Sequence, residues 1–269
     1  MKKFPLWCLK HKLLSFLILS VSICGFYTLT MIYLEAPMPV IVVLDVVIAL
    51  VTLTYVNFSY AKDLQDAQKV LFDECNPQLF YEVATQAAEY TKGTSQQDLI
   101  LNQTAALFYM GRHEEVINIL ENLNIDKIDG TLLQSKIIYY NNLAAAYEQS
   151  GELDKAEPIF KKVRTLYNDA NPKIQQQMKN IILCVDIFEN NKAGEYKRSL
   201  ELINLRKEVD NRRLNKISIA ITEANVYDKL GEREKAMDCL QFAFMNGGKT
   251  FYVDLALKMI NELKSENKQ

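Results

Sequence analysis

Histidine, glycine and proline are scarce in this chain, and each scarcity removes a class of answer. Only two histidines occur, His11 and His113, so histidine-based triads and metal clusters have little to draw on. His113 begins a helical pattern beside Arg112 and Glu114 and is expected to be solvated. No nucleophile elbow, phosphate-cradling loop or paired metal-ligand helix is present. Gly247-Gly248-Lys249-Thr250 imitates the end of a phosphate loop, but the earlier glycine and preceding strand are missing, so it reads as a turn. No catalytic residue, cofactor or metal site is expected. Nine glycines and six prolines leave long stretches without a breaker, which favours a mostly helical chain. The five cysteines (Cys8, Cys24, Cys75, Cys184, Cys239) are odd in number and show no zinc or redox spacing. They read as reduced packing residues of a cytosolic protein. A basic stripe is also missing. From residue 61 onward, 27 Lys and Arg face 31 Asp and Glu, so nucleic acid is not an expected partner.

Positive charge is absent altogether between residues 13 and 60, where the only ionisable acids are Glu35 and Asp45. Residues 13–34 and 38–60 are each long enough to cross a hydrocarbon core of roughly 30 Å at 1.5 Å per residue. The connector holds Pro37 and Pro39, which stop both helices. A transmembrane hairpin over 13–60 is the expectation. Lys2, Lys3, Lys10 and Lys12 precede it, in a basic segment over 1–12, and no Lys or Arg lies in the connector. The positive-inside rule then predicts both termini in the cytoplasm, with two spans of a cell membrane between them. Trp7, Tyr33, Tyr55, Phe58 and Tyr60 stand where interfacial aromatics belong. A second reading makes Lys2–Gly25 a signal peptide, even a lipoprotein signal ending at Cys24. Against it, Ile23 is bulky where a small residue is expected, and the apolar run continues past it.

Asp45 is the one ionisable residue inside a span. An antiparallel register places it opposite Tyr27–Thr30, so Thr28 or Thr30 is a hydrogen-bond partner within the hairpin. The other reading is a contact with a membrane partner, or self-association through the hairpin.

Beyond residue 60 the chain repeats itself. Tyr147, Gly151, Ala156 and Phe160 recur as Tyr227, Gly231, Ala236 and Leu240. Taking Gly111, Gly151, Gly194 and Gly231 as markers, the spacings are 40, 43 and 37 residues. Each glycine ends one helix, where a left-handed backbone is cheap only without a Cβ. Glu152, Glu195 and Glu232 follow three of them, near the positive end of the next helix. Ala156 and Ala236 lack bulk where two helices cross closely. Recurrence at this period predicts stacked helical hairpins. Residues 61–75 and 78–90 read as a further divergent pair, the first continuing directly from the second span. Residues 250–263 read as a capping helix, and 264–269 as a frayed end.

These residues resemble the tetratricopeptide repeat. Residues 141–163 fit best, through Leu143, Ala144, Tyr147, Gly151, Ala156 and Phe160. The unit around Gly231 fits through Ala224, Tyr227, Ala236, Leu240 and Ala243. The unit around Gly111 departs, with Val116 for the small residue and Leu107 for the aromatic. The unit around Gly194 departs further, with Asn190 and Ser199 where Tyr and Ala are expected. The resemblance covers roughly residues 95–250 and implies an all-α protein. A right-handed α-solenoid over 61–269 with a C-terminal capping helix would follow the hairpin, in a membrane-anchored and bacterial member of the family.

It also implies a function and a surface. Such arrays bind protein or peptide partners in a concave groove lined by the first helix of each unit. Asn102 and Asn142 occupy equivalent places, nine residues before Gly111 and Gly151, and an amide both donates to and accepts from a peptide backbone. Tyr109, Asn141 and Asn225 join them as groove candidates. Val185 and Thr222 stand at the same place in the other units, so the ladder is incomplete, and plain polar groove positions remain the other reading. The expected role is a non-enzymatic scaffold or adaptor on the cytoplasmic membrane face. The alternative is a sensor or regulator that reads a small peptide in the same groove.

Overall fold

A computed structural model describes residues 12–35, 37–89, 91, 93–123, 125–127 and 130–266. The basic residues Lys2, Lys3 and Lys10, together with Trp7, Cys8, His11, Tyr90 and the last three residues of the expected frayed end, lie outside this range. No strand occurs among the described residues.

Two long helices come first. α1 spans Lys12–Tyr33 and α2 spans Met38–Phe72. Their 22 and 35 residues correspond to about 33 and 52 Å at 1.5 Å per residue. Within them, Phe16–Tyr33 and Met38–Val56 are long and apolar enough to cross a membrane. The reversal is made by Glu35, at φ +56°, and by Pro37, which caps α2 with Pro39 in its first turn. α1 packs along α2, and Thr28 Oγ1 donates to Asp45 Oδ2 at 2.8 Å. Asp45 Oδ1 is buried without a partner. The outward faces are apolar, with Val21, Phe26 and Leu29 each more than two-thirds exposed.

α2 runs on without a break past the apolar segment, and its last turns enter the core of the repeat array through Ala67, Val70 and Leu71. α3 (Pro77–Ala88) follows a turn in which Cys75 sits at φ +51° and the Asn76 side chain accepts from the Leu79 amide at 3.4 Å. Four hairpins come next. They are α4 (Thr94–Tyr109) with α5 (His113–Leu123), α6 (Leu133–Gln149) with α7 (Leu153–Asn168), α9 (Lys179–Lys192) with α10 (Tyr196–Val209), and α11 (Arg213–Lys229) with α12 (Arg233–Asn246). α13 (Tyr252–Glu266) ends the array, reaching three residues beyond the expected limit of the cap.

One turn chemistry recurs at all four hairpins. Gly111, Gly151, Gly194 and Gly231 have φ between +77° and +79°. The residue after each glycine donates its amide back to the first helix: Arg112 to Leu107 O, Glu152 to Tyr147 O, Glu195 to Asn190 O and Glu232 to Tyr227 O, at 2.8–3.0 Å. This six-to-one bond satisfies a carbonyl that the helix end leaves open. Ala156 and Ala236 are fully buried at the crossings, and Phe160 and Leu240 fill the space beyond them. The long spacings have local causes. A short 3-10 turn, Ile125–Lys127, precedes α6, and the extra helix α8 (Pro172–Gln177), capped by Asn171, precedes α9.

The array closes on itself. α13 covers α12, as a cap does, but it also completes a core with the start of the array. Leu71, Phe80, Val83 and Ala106 share one apolar cluster with Leu214, Ile217, Leu240, Tyr252 and Ile260. The turn before α13 seals the joint. The Lys249 amide donates to Cys75 O and the Phe251 amide to Tyr109 O, both at 2.9 Å. Arg212 lies 3.6 Å over the Phe72 ring. Thr250, the last residue of the phosphate-loop imitation, is buried in this seal and donates to Gly247 O at 2.7 Å.

Candidate functional site

Closure brings the first helices of the hairpins together, and polar side chains from six helices lie near one another behind it. Tyr109 ends α4, Glu148 ends α6, Asn180 and Cys184 lie on α9, Ser218 on α11 and Tyr252 on α13. Arg206 enters from α10. It is buried, and its Nε donates to Asn180 Oδ1 at 2.9 Å while Nη2 donates to Ser218 Oγ at 3.4 Å. Ser218 also lies beside the Tyr252 hydroxyl. Cys184 Sγ donates to Asn180 O at 3.1 Å.

The electrostatics of this centre follow from its depth. Burial pushes the Tyr252 hydroxyl up to about 12, and the Ser218 side chain and the Arg206 charge oppose that rise. Burial also raises Tyr109, with the neighbouring Tyr252 hydroxyl adding to the effect and Arg206 opposing it. The Cys184 thiol rises for the same reason, again against Arg206. Desolvation alone lifts the Glu148 carboxyl to about 7. Yet Glu148, Tyr109 and Cys184 each keep some accessible surface. These side chains are enclosed by protein but not sealed from solvent. Water there reduces the shift that full burial would impose.

Of the groove candidates, only Tyr109 takes part in this cluster. Its ring lies 6.0 Å from that of Tyr252 and 5.4 Å from Phe108. Asn102 and Asn142 sit half-buried on α4 and α6, which pack together. The Asn142 Nδ2 is buried without a partner, whereas Asn225 is exposed on α11. Nothing bonds these asparagines into a ladder. Sequence reasoning passed over Glu148, Asn180, Cys184, Arg206, Ser218 and Tyr252. One signal was available: Glu148 follows the repeat tyrosine Tyr147, on the face next to the motif.

His113 corrects an expectation. It is not solvated: its ring packs 5.0 Å from both Phe108 and Phe251, and Nε2 is buried without a partner. Burial holds the imidazole below its ordinary value, partly offset by a hydrogen bond to the Phe108 backbone. Cys24, Cys75, Cys184 and Cys239 are free thiols. Among the described residues no His, Cys, Asp and Glu group is arranged to hold a metal ion.

Comparison with known proteins adds one match. Residues 137–169 fit the family model described as Tetratricopeptide repeat, a stretch that contains most of α6 and all of α7. No curated protein and no solved structure matches the chain.

Proposed function

The chain carries a tetratricopeptide repeat within an all-helical array of hairpins, and from that premise we propose a membrane-anchored scaffold that holds a protein partner at the cytoplasmic face. Repeats of this family generally mediate protein–protein interaction. The observation that carries the finer reading is α2. One helix joins the apolar segment Met38–Val56 to the core residues Ala67, Val70 and Leu71. A rigid mount of this kind fixes the orientation of the array relative to whatever surrounds the apolar hairpin. The exposed apolar faces of α1 and α2 are larger than a water-facing protein surface tolerates, which supports a lipid environment. The partner would lie along the first helices, on Asn102, Asn141, Asn142 and Asn225. Self-association through the hairpin is a further use of the same anchor. Two experiments test this reading. In intact spheroplasts the array should resist external protease, and digestion from outside would overturn the cytoplasmic placement. Crosslinking with mass spectrometry should recover a stoichiometric protein, and recovery lost in the Asn102→Ala, Asn142→Ala double variant would place it in the groove.

A second reading is favoured by the ring centre. Arg206, buried on α10, lies among Ser218, Tyr109 and Tyr252 behind the closure, polar groups of the kind that hold a short peptide. In that case the array is a sensor, and ligand binding would alter its closure. Crosslinking separates the two, since a sensor yields a short peptide and a scaffold a large protein.

A further inference from the structure

One turn joins the end of the array to its beginning. Residues 247–251 lead from α12 to α13, and two of their amides donate to carbonyls at the far end of the array, Lys249 to Cys75 O and Phe251 to Tyr109 O. The Phe251 ring enters the first hairpin. Gly111 leaves room for it: a Cβ there would come within 3.0 Å of Phe251 Cβ, whereas Gly151, Gly194 and Gly231 have open space at the same place in their turns. The ring lies 5.7 Å from Phe108 and 5.0 Å from the imidazole of His113. Of the two rings against His113, Phe108 belongs to its own hairpin and Phe251 comes from the closing turn. His113 Nε2 is buried there without a partner among the described residues.

A proton on Nε2 would be a charged donor with no acceptor, set between aromatic rings. Departure of Phe251 would return Nε2 to water, which solvates the charge. The closed and released turns therefore differ in their affinity for a proton. We propose that the turn from Gly247 to Phe251 is a latch between the last helix and the first hairpin, and that protonation of His113 releases it. Ionisable side chains on the surrounding elements are Tyr81 on α3, Tyr109 on α4, Arg112, Glu114 and Glu115 on α5, and Lys249, Tyr252 and Asp254 on the turn and α13. Arg112 and Glu115 pair with each other at 2.5 Å. His113 itself answers to burial, which lowers it, and to the Phe108 backbone, which opposes that. The latch therefore holds above the ordinary 6.5 and weakens as pH falls below it. Release uncovers the Tyr109 carbonyl, on a residue of the expected groove, so acid opens the array at its first hairpin.

The device belongs to the array itself and stands whichever partner the array holds. Hydrogen exchange of the full chain in detergent tests it, read at pH 7.5 and 5.0 as protection relative to the intrinsic rate at each pH. Amides of the turn and the first part of α13, Lys249 and Phe251 included, should lose protection at pH 5.0, while the α6–α7 hairpin keeps its own. His113→Phe fills the slot with a ring that takes no proton, and His113→Gln keeps a polar side chain without the charge. Both variants should show the same protection of the turn at the two pH values. Glu148 also titrates in this range, but acid favours its folded form, so it cannot mimic the loss. Equal protection of the turn at both pH values in the parent chain overturns the proposal. So does a loss spread evenly over α6 and α7, the mark of general acid unfolding. A loss that persists in both variants also overturns it, because the proton would then act on another group.

Discussion

The backbone amide of Phe251 donates to the carbonyl of Tyr109 at 2.9 Å, joining the last helix of the array to its first hairpin. Closure at this point has little slack. Gly248, at φ +62°, lies where a Cβ would come within 2.7 Å of Cys75 Cβ and 2.9 Å of its carbonyl oxygen. Gly151 has a similar φ of +79° but open space around it. Gly151→Ala should therefore cost only the left-handed strain, about 1–2 kcal/mol. Gly248→Ala carries that strain plus a clash with backbone, and should cost about 1–3 kcal/mol more, as overpacking does. Urea unfolding of both variants isolates the difference. Hydrogen exchange should show α13 losing protection in Gly248→Ala alone.

Beside this seal, His113 sits between Phe108 and Phe251 with Nε2 unpartnered. Its folded value lies below the ordinary 6.5, so the unfolded chain binds the proton more readily. Stability from this residue is complete above about 6.5 and falls as pH drops through the window below it. His113→Phe replaces the imidazole with a ring that needs no proton. Thermal melts between pH 5 and 8 should show the variant losing less stability on acidification than the parent. An identical slope would mean the imidazole does not titrate in that pocket.

Glu148 produces a slope of the opposite sign. Burial raises its carboxyl from 4.5 to about 7, so the folded state holds a proton that the unfolded state releases. Its contribution is complete below about 4.5 and is lost as pH rises toward 7 and beyond. The titratable groups that feel its charge are Cys184 and Tyr252. Glu148→Gln should stabilise the chain at pH 8 by about 1–3 kcal/mol, the scale of a shift of this size discounted for the solvent contact Glu148 keeps. The gain should vanish near pH 4. Comparing the two variants at both ends of the range separates the histidine and carboxyl effects.

The hairpin unit was legible because its residues act locally. A left-handed glycine, a small residue at the crossing and an apolar residue one turn on each report a contact within about 25 residues, as Tyr147, Gly151, Ala156 and Phe160 do. The apolar hairpin was legible for the same reason, through runs bounded by Pro37. Closure was not. It depends on Gly248 meeting Cys75 and Phe251 meeting Tyr109, pairs separated by more than 140 residues and outside any repeat period. The ring centre depends on closure, so Arg206 and Tyr252 read as ordinary helix residues until their helices are placed. His113 was misread because a helix start beside Arg112 and Glu114 looks solvated, whereas Phe251, from far along the chain, packs on it together with Phe108. Tyr109 was named through the groove pattern, and the structure sets its ring 6.0 Å from Tyr252, a neighbour that pattern does not reach.

The apolar hairpin of α1 and α2 offers a test of whether a polar contact there has a second use. Thr28 satisfies one oxygen of Asp45, and the other is buried without a partner. If the contact only links α1 to α2, Asp45→Asn should keep the bond, and Asp45→Leu should cost about 1 kcal/mol, as single polar contacts between membrane helices do. Neither variant would change the mass of the detergent-solubilised particle. If the second oxygen reaches another chain, Asp45→Leu should lower that mass while Thr28→Val does not, because threonine serves only the intrachain bond. Light scattering coupled to size-exclusion chromatography reads the difference directly. An unchanged mass in Asp45→Leu would confine Asp45 to holding the hairpin together and remove self-association through this residue.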